Sequence, residues 1–361
     1  MADFTSSLYL DMRHPSDALP GWPVLTTGRP AVLGQPPGAA AVAARLAALA
    51  GAERATLARS TLHALSDCLE VLAGAGAGLV VDAGVYPIGR WAVQRAAGVG
   101  VLVERVAHHD VTATATAVRR LHGRGLRAVV VADGLCAGCG RCYPMAPVST
   151  ALRERGGTLL IDDTQALGVL GAGSDVDAPY GRGGGGSVRH AGAAHDVVVG
   201  VSSLAKAFGA PVACIAGPAD VVAWVRASGS AVHSSPPSAA DVAAAAHAMR
   251  CNDAVGDELR ARLAGRVRAL RRRAAGYGLV LVGGLFPVQS TPTVDAARGR
   301  WLLDRLEAGG VHAVLRRACG GAGSAVTLVV TVAHRRSDID RAAGLLGAAW
   351  RELDGQVRRA R

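Results

Sequence analysis

Residues 196–209 have the sequence Asp-Val-Val-Val-Gly-Val-Ser-Ser-Leu-Ala-Lys-Ala-Phe-Gly, and they contain Lys206, the only lysine among the 39 basic residues. A β-branched run followed by a turn of small residues predicts a buried strand with Lys206 just beyond its carboxyl end. A guanidinium cannot lose its proton and attack a carbonyl, so arginine cannot replace a reactive amine. We therefore interpret Lys206 as a Schiff-base lysine. The alternative is one surface lysine left by codon bias, and the position at a strand end, between Ser203 and Gly209, counts against it.

Short apolar runs alternate with amphipathic stretches on both sides of this segment. The alternation predicts an α/β fold with a mostly parallel sheet and helices on both faces. Ligands of such sheets bind at the carboxyl ends of the strands, where Asp82, Asp133, Asp162 and the lysine turn all lie. The predicted strands are 79–82, 101–105, 128–133, 158–162, 196–201 and 212–216, and the predicted helices are 92–97, 111–122 and 148–156.

The pattern changes after Pro236-Pro237 and predicts a second, smaller α/β domain. We divide the chain into an N-terminal segment 1–40 that packs on the small domain, a large domain 41–237 and a small domain 238–361. The glycine-rich residues 181–187 predict a mobile surface loop. The elements predicted in the small domain are helices 239–276, 297–308 and 339–353 and strands 279–282, 286–290 and 326–332.

Composition favours a globular enzyme, because 50% of the residues are hydrophobic and 19% are charged. The net charge of +11 comes from arginines spread along helix-like stretches such as 258–273, so we expect no nucleic-acid partner. No apolar run reaches the roughly 18 residues that a membrane span needs, and residues 1–30 lack the pattern of a secretory signal. We expect a cytoplasmic protein without a membrane partner.

Asp162 follows the apolar run Leu-Leu-Ile at the end of a strand predicted to be buried. A carboxylate there is costly unless a cation or hydrogen-bond donors face it. A protonated pyridine nitrogen is one such partner, and the pair would make the ring an electron sink. The alternative is a helix N-cap at this turn, with Asp163 or Thr164 serving it.

Four segments follow one another along the chain, and they are Asp162–Gly171, Gly181–Gly183, Ala205–Gly209 and Ser234-Ser235-Pro236-Pro237. In their order and spacing the chain resembles the pyridoxal 5′-phosphate (PLP) enzymes of fold type I, and among them the α-oxoamine synthases, such as 8-amino-7-oxononanoate synthase. The likeness extends from about Tyr9 to Leu346 and includes Ala333-His334.

The resemblance implies PLP as the cofactor, a sheet of the seven-stranded type and a role for each matching residue. Lys206 would form the Schiff base and move the Cα proton, and Asp162 would hold the pyridinium. A helix start would offer N–H and hydroxyl groups to the phosphate, and Ser203 would add a contact. A homodimer with shared sites is implied because Ser234 and Ser235 match a position that reaches the partner's phosphate. The helix-start residues are Ser60, Thr61 and Leu62.

The chain departs from the family pattern at several site positions. Tyr86 replaces the usual histidine that stacks on the pyridine, and Gln165 replaces a titratable histidine near the cofactor's phenolic oxygen. Thr327 stands where the family has an arginine that grips the substrate carboxylate, and threonine cannot supply a bidentate clamp. Arg316 matches a nearby family arginine that could take the anion instead, although an exposed arginine with no such role is the alternative.

Three of the seven cysteines form the triplet Cys136, Cys139 and Cys142. Three thiols at this spacing could hold zinc with a histidine from elsewhere as the fourth ligand, but one short triplet is only half of a zinc signature. The sequence alone favours the alternative, a reduced Cys- and Gly-rich loop without metal.

The favoured function is therefore condensation of an amino acid or amine with an acyl thioester in a biosynthetic pathway, catalysed by a PLP-dependent acyltransferase. An aminotransferase is the close alternative. A non-catalytic or metal-linked binding protein on the same fold is a weaker one.

Overall fold

The computed structural model describes residues 1–74, 76–193, 195–319, 321 and 323–359. Seven strands in this part of the chain form one central sheet. They are β1 (Arg54–Ala58), β2 (Ala77–Asp82), β3 (Leu102–Val106), β4 (Arg127–Asp133), β5 (Thr158–Asp162), β6 (Val198–Ser203) and β7 (Ala213–Gly217).

The strand order across the sheet is β1-β7-β6-β5-β4-β2-β3. β7 is antiparallel to both β1 and β6, and the pairs from β6 to β3 are parallel. The central strands β2, β4, β5 and β6 are almost continuously buried, which explains their runs of Val, Leu and Ile. The predicted α/β architecture with a mostly parallel sheet is confirmed.

Helices cover both faces of this sheet, and two separate apolar clusters lie between them and the strands. The helices are α1 (Ala39–Ala50), α2 (Thr61–Leu72), α3 (Pro87–Gly98), α4 (Val111–Gly123), α5 (Met145–Arg153), α6 (Gly186–His190), α7 (Ala219–Ala227) and α8 (Gly229–His233). None of the helices in the described part of the chain combines the length and apolar content that crossing a bilayer requires.

The C-terminal part is built on the long helix α9 (Ala239–Gly276), whose bounds match the prediction. Ser238 and Asp241 form a capping box at its start. A three-stranded antiparallel sheet in the order β10-β11-β8 packs nearby. The remaining elements are β8 (Val288–Ser290), α10 (Ala296–Ala308), β9 (Val311–His312), β10 (Val314–Arg317), β11 (Ser324–Val329) and α11 (Arg336–Arg359).

The N-terminal residues contact this C-terminal part. Ala2 and Asp3 pair in parallel with β9, and the Phe4 ring stacks on His334 with 3.9 Å between ring centroids. Tyr9 is fully buried and makes an edge contact with Phe286. These contacts agree with a segment packed on the small domain, and the division into domains stays a prediction.

Two local predictions are wrong. Residues 279–282 alternate between buried leucines and exposed valines as a strand does, but they form a single bridge, Val282 to Ser290, before Gly283 and Gly284 turn the chain with positive φ angles. Residues 181–187 are not a surface loop, because Gly184, Gly185, Gly186 and Ser187 are buried. The Gly186 N–H donates to Leu170 O at 2.8 Å, and glycine is needed there because a Cβ on Gly186 would collide with the Asp163 carboxylate.

Candidate active site

A cavity of about 500 Å³ opens at the carboxyl ends of β2, β4, β5 and β6. This volume lies in the usual range for small-molecule sites, and the location is the one expected for an α/β sheet. Five of the predicted site residues from the large part of the chain meet at its wall, together with Tyr86 and Arg316. The five are Thr61, Asp162, Gln165, Ser203 and Lys206.

The turn that carries Lys206 is held rigidly below the cavity. Leu204 and Phe208, on either side of the lysine, are fully buried. The Leu204 N–H donates to Val212 O at 2.8 Å, and the Gly209 N–H donates to Lys206 O at 3.3 Å. Gly209 has φ of 62°, which favours glycine and lets the chain reverse after the lysine. These contacts therefore fix the backbone of the turn, from which one amine enters the cavity.

Lys206 and Asp162 share this cavity and influence each other's ionisation. Burial lowers the pKa of Lys206, and the Asp162 charge opposes that shift. Burial raises the pKa of Asp162, while hydrogen bonding to Thr164 and the Lys206 charge act in the opposite direction. A half-buried carboxylate and a partly desolvated amine therefore face one cavity, which is the arrangement a reactive lysine needs.

Thr164 joins the strand that carries Asp162 to the strand that carries the lysine. Its N–H donates to Asp162 Oδ1 at 3.0 Å, and its hydroxyl accepts a 3.0 Å hydrogen bond from the Ser203 N–H. Ser203 also lines the cavity, and its hydroxyl accepts from the Ala205 N–H at 3.2 Å. The two chemically active residues are thus positioned by one short polar bridge.

The first turn of α2 reaches the cavity wall at Thr61 and has free backbone donors. Ser60 is the N-cap, and its hydroxyl accepts from the His63 N–H at 3.4 Å. Among the described residues no acceptor pairs with the N–H of Thr61 or of Leu62. Unpaired N–H groups at the start of a twelve-residue helix suit an anion such as a phosphate.

Tyr86 lies at the cavity mouth as the N-cap of α3, and its side chain is 55% exposed. Its N–H donates to Asp133 Oδ1 at 3.1 Å. Asp133 also lines the cavity, and burial together with the Asp162 charge raises its pKa to about 8. The sequence placed Asp133 at a strand end but gave it no role. Its position on the strand beside Asp162 was the available signal.

Gln165 lines the cavity and is oriented by a residue from the N-terminal segment. The Tyr9 hydroxyl donates to Gln165 Oε1 at 2.5 Å. This bond occupies the amide oxygen, so the amide nitrogen is left as the donor for a ligand. Tyr9 lies far from Gln165 in the sequence, and no local pattern could have identified it.

Arg316 is half-buried on β10 rather than exposed, and it lines the cavity. Its Nε donates to Thr327 Oγ1 at 2.8 Å, and its Nη2 donates to Gly138 O at 2.6 Å and to Ser290 Oγ at 3.0 Å. In the described part of the protein Nη1 has no acceptor. Thr327 is buried on β11 and does not line the cavity, so the structure places it behind Arg316 as its support.

Six other predicted residues do not line this cavity, namely Ser60, Leu62, Ser234, Ser235, Cys139 and Cys142. Ser234 donates to Ser230 O at 2.6 Å, Ser235 is exposed, and neither lines the cavity wall of its own chain. Cys142 does not line it either, whereas Cys136 does. Cys319, which the sequence did not single out, contributes to the same rim.

The residues present fit PLP. A half-buried amine and a half-buried carboxylate share a cavity large enough for the cofactor, and free N–H groups at the α2 start would receive its phosphate. Lys206 would hold the aldehyde carbon, Asp162 the ring nitrogen, and Tyr86 the ring face.

The sheet order and the lysine–carboxylate pair are those of the PLP-dependent transferases of fold type I. The chain belongs to the family described as aminotransferase class I and II, whose model matches residues 10–343. Its curated relatives include 8-amino-7-oxononanoate synthases. That of Halorhodospira halophila is 30% identical over 331 residues, covering 89% of this chain and 77% of the relative.

A second 8-amino-7-oxononanoate synthase, from Pseudomonas paraeruginosa, is 27% identical over 266 residues. That match covers 72% of this chain and 62% of the relative, so it spans less than two thirds of the relative's length. Solved structures share the fold. A serine palmitoyltransferase from S. paucimobilis has a TM-score of 0.84 at 18% identity, covering 98% of this chain and 88% of the other. An 8-amino-7-oxononanoate synthase from Francisella tularensis has a TM-score of 0.76 at 14% identity, covering 99% of each chain.

Proposed function

We propose that this chain is a PLP-dependent acyltransferase of the α-oxoamine synthase type, which joins an amino acid or amine to the acyl group of a thioester. For an amino acid the reaction forms a carbon–carbon bond at Cα and releases CO2 and the thiol. The observation that carries the proposal is the pairing of Lys206 and Asp162 across one cavity at the carboxyl ends of the strands. The names of the relatives support the acyl-transfer chemistry.

When bound, PLP supplies an electron sink for a negative charge at the carbon that carries the substrate's amine. Asp162 would stabilise the protonated ring nitrogen, which would keep that sink effective. Lys206 would hold the cofactor's aldehyde carbon and would move the proton at Cα. The lowered pKa of Lys206 favours this role, because burial makes the neutral amine easier to form.

The remaining wall residues orient the reactants. Gln165 would donate its amide N–H to the cofactor's phenolic oxygen, and Tyr86 would cover the ring face. Arg316 offers its free Nη1 to an anionic substrate group, and Arg90 adds a second cation to the wall. The anionic group can bind without breaking the hydrogen bonds of Arg316 to Thr327 and its other partners, because those bonds use other guanidinium nitrogens.

The lysine assignment can be tested with two variants of one residue. Lys206→Ala and Lys206→Arg should both lose the visible absorbance of the lysine-linked cofactor, and borohydride should no longer fix the cofactor to the chain. The arginine variant is the matched control, since it retains the positive charge without a reactive amine. Cofactor that is still fixed covalently in both variants contradicts the proposal.

Amino transfer is the second candidate, and the description of the family favours keeping it. Holoenzyme mixed with an amino acid and no thioester should leave the bound cofactor as PLP. Release of CO2 and free thiol should require both substrates. Stoichiometric conversion to pyridoxamine phosphate without thioester would instead identify an aminotransferase. A protein that binds PLP but performs neither reaction would be the non-catalytic alternative.

We also propose a homodimer in which Ser234 and Ser235 of one chain reach the cofactor phosphate of the other. Large apolar side chains near the cavity mouth are exposed in the single chain, with Leu62 at 41% and Trp91 at 56%, and a partner would cover them. Mixing Lys206→Ala chains with Ser234→Ala/Ser235→Ala chains should restore part of the activity, because one site of each mixed dimer is then intact. No recovery in verified mixed dimers, or a monomeric mass, contradicts the shared site. The domain boundaries and the cytoplasmic location stay predictions.

A further inference from the structure

A second cluster of reactive side chains lies at the rim of the cavity, apart from Lys206 and Asp162. It consists of His108, Cys136, Cys139 and Cys319. Each offers one ligand atom, and the four atoms all lie within 4.8 Å of one another. Two of these residues belong to the cysteine triplet seen in the sequence. Cys319 and His108 complete the group, and Cys142 is not part of it.

We propose that these four residues, the Cys₃His site, bind a structural zinc ion. Tetrahedral zinc with Zn–S of about 2.3 Å and Zn–N of about 2.0–2.1 Å requires ligand atoms about 3.5–3.8 Å apart. The Sγ atoms of Cys136 and Cys319 are 3.5 Å apart, and Cys139 Sγ lies 3.5 Å from His108 Nε2. Both separations match edges of that tetrahedron. The 3.5 Å between the sulfurs is too long for a disulfide of about 2.05 Å.

The histidine is held in the orientation that a metal ligand needs. His108 Nδ1 lies 2.7 Å from Asp82 Oδ1, which leaves Nε2 directed at the thiols. The Asp82 carboxylate is buried and fixed by the Gly84 and His109 N–H groups, both at 2.7 Å. A carboxylate on the far nitrogen of a ligating histidine sets its tautomer and strengthens its binding. The hydrogen bond to Asp82 therefore holds the His108 ring in this orientation independently of its contact with the thiol.

The loop between Cys136 and Cys139 is shaped so that both sulfurs reach one point. The Gly140 N–H donates to Cys136 O at 2.8 Å, and Gly140 has φ of 70°. A Cβ on Gly138 would lie 2.7 Å from the Cys319 Cβ and 3.1 Å from the Sγ of Cys136. Only glycine therefore lets the third thiol approach the loop.

The charge around the cluster also suits a metal-bound state. A zinc ion with three thiolates and a neutral imidazole carries one net negative charge, which a nearby cation would stabilise. Arg316 interacts electrostatically with all three thiols, and Arg141 lies beside Cys139. Arg316 Nη2 also donates to Gly138 O inside the cysteine loop.

The four ligands come from three distant segments of the chain. His108 follows β3, the Cys136–Cys139 loop follows β4, and Cys319 follows β10. A zinc ion here would fasten the end of β10 to the large sheet beside the cavity and so fix Arg316. Because the protein supplies all four ligands, no position is open for substrate, and the metal acts on structure rather than on bond making.

The test is metal analysis of holoenzyme purified under reducing conditions without a polyhistidine tag. We expect one zinc ion per chain in the wild type and in Cys142→Ser, which is the matched control because Cys142 lies in the same loop outside the group. Cys319→Ser and His108→Gln should lose at least tenfold in zinc affinity. Zinc-free wild-type protein that does not take up added zinc overturns the proposal, as does zinc lost only in Cys142→Ser.

A second measurement covers the case in which the variants fold poorly. Wild-type protein with Co²⁺ in place of zinc should show thiolate-to-cobalt charge-transfer bands and the strong visible bands of a tetrahedral site. A chelator should then expose Cys136, Cys139 and Cys319 to alkylation and leave the labelling of Cys142 and Cys251 unchanged. A disulfide between Cys136 and Cys319 in the reduced preparation, or octahedral cobalt without sulfur ligands, contradicts the site.

Discussion

The hydroxyl of Tyr9 donates a 2.5 Å hydrogen bond to the amide oxygen of Gln165, and this bond ties the N-terminal segment to the wall of the catalytic cavity. Tyr9 is fully buried, and the hydrogen-bond donor leaves Gln165 with its amide nitrogen toward the cavity. The N-terminal segment therefore helps to orient a residue of the cavity wall, although it carries none of the proposed reacting groups.

Loss of this bond should weaken the cofactor site without removing it. Tyr9→Phe frees the Gln165 amide to rotate, so we expect cofactor affinity and kcat/KM to fall about fivefold, the equivalent of one neutral hydrogen bond of about 1 kcal/mol. Tyr180→Phe is the matched control, since its hydroxyl donates to Leu285 O at 2.6 Å elsewhere in the fold. Equal losses of cofactor affinity in the two variants would show a general packing effect instead.

The same substitution at the neighbouring carboxylates Asp162 and Asp163 should affect kcat differently. Asp162→Asn removes the charge that we propose pairs with the cofactor's ring nitrogen, and breaking a buried charge pair costs about 3 kcal/mol. We expect kcat to fall about 100-fold or more, with the cofactor still covalently bound. Asp163 accepts from the Ser187 N–H at 2.9 Å and does not line the cavity. Asp163→Asn should therefore keep kcat within a few-fold, and a comparable loss would contradict the assignment of Asp162.

The raised pKa of Asp163 also predicts that the stability of the protein depends on pH. Burial raises its pKa from 3.8 to about 7 in the folded protein. Below pH 4 the carboxyl is protonated in both states. Between pH 4 and pH 7 it ionises only when unfolded, so the free energy of unfolding falls as pH rises. The wild type should lose about 4 kcal/mol relative to Asp163→Asn across this range, measured by urea unfolding at several pH values. A constant or opposite difference would refute the shift.

The sequence predicted those parts of the site that lie at the carboxyl ends of the strands. The strand at 158–162 and helix α9 have the predicted bounds, because an apolar run ending in Asp and an uninterrupted helical period are strong local signals. Lys206 and Asp162 follow from the same rule, since parallel strands bring their carboxyl ends together. β1 was missed because its residues are only partly buried and alternate weakly.

What the sequence could not show are contacts between distant segments. Tyr9 meets Gln165 across 156 positions, and Cys319 meets Cys136 across 183. No periodicity or motif spacing encodes such a meeting, because it depends on how the C-terminal sheet packs against the large one. The role of glycines 184–186 was misjudged for a related reason. Glycine runs are typical of flexible loops, but here the missing side chains allow close packing on residues 168–172.

Arg316 and Arg317 are adjacent on β10 and offer a matched test of substrate binding. Successive side chains on a strand point to opposite faces, and only Arg316 lines the cavity, whereas Arg317 is exposed. Lysine cannot reproduce the three hydrogen bonds of the Arg316 fork and still present a free N–H to a ligand. We expect Arg316→Lys to raise KM for the anionic substrate about 10- to 100-fold, with kcat changed less. Arg317→Lys should leave both constants unchanged.

Thr327→Val separates the support of Arg316 from its charge. The variant removes the acceptor of the Arg316 Nε and keeps the guanidinium, so we expect a rise in KM of about fivefold. Thr327→Ser should restore the wild-type value, because serine retains the hydroxyl. Zinc content should be measured in the Arg316 and Thr327 variants, since Arg316 also donates to Gly138 O in the cysteine loop. A KM unchanged in Arg316→Lys with full zinc content would show that the substrate's anionic group binds elsewhere, with Arg90 as the next cation on the cavity wall.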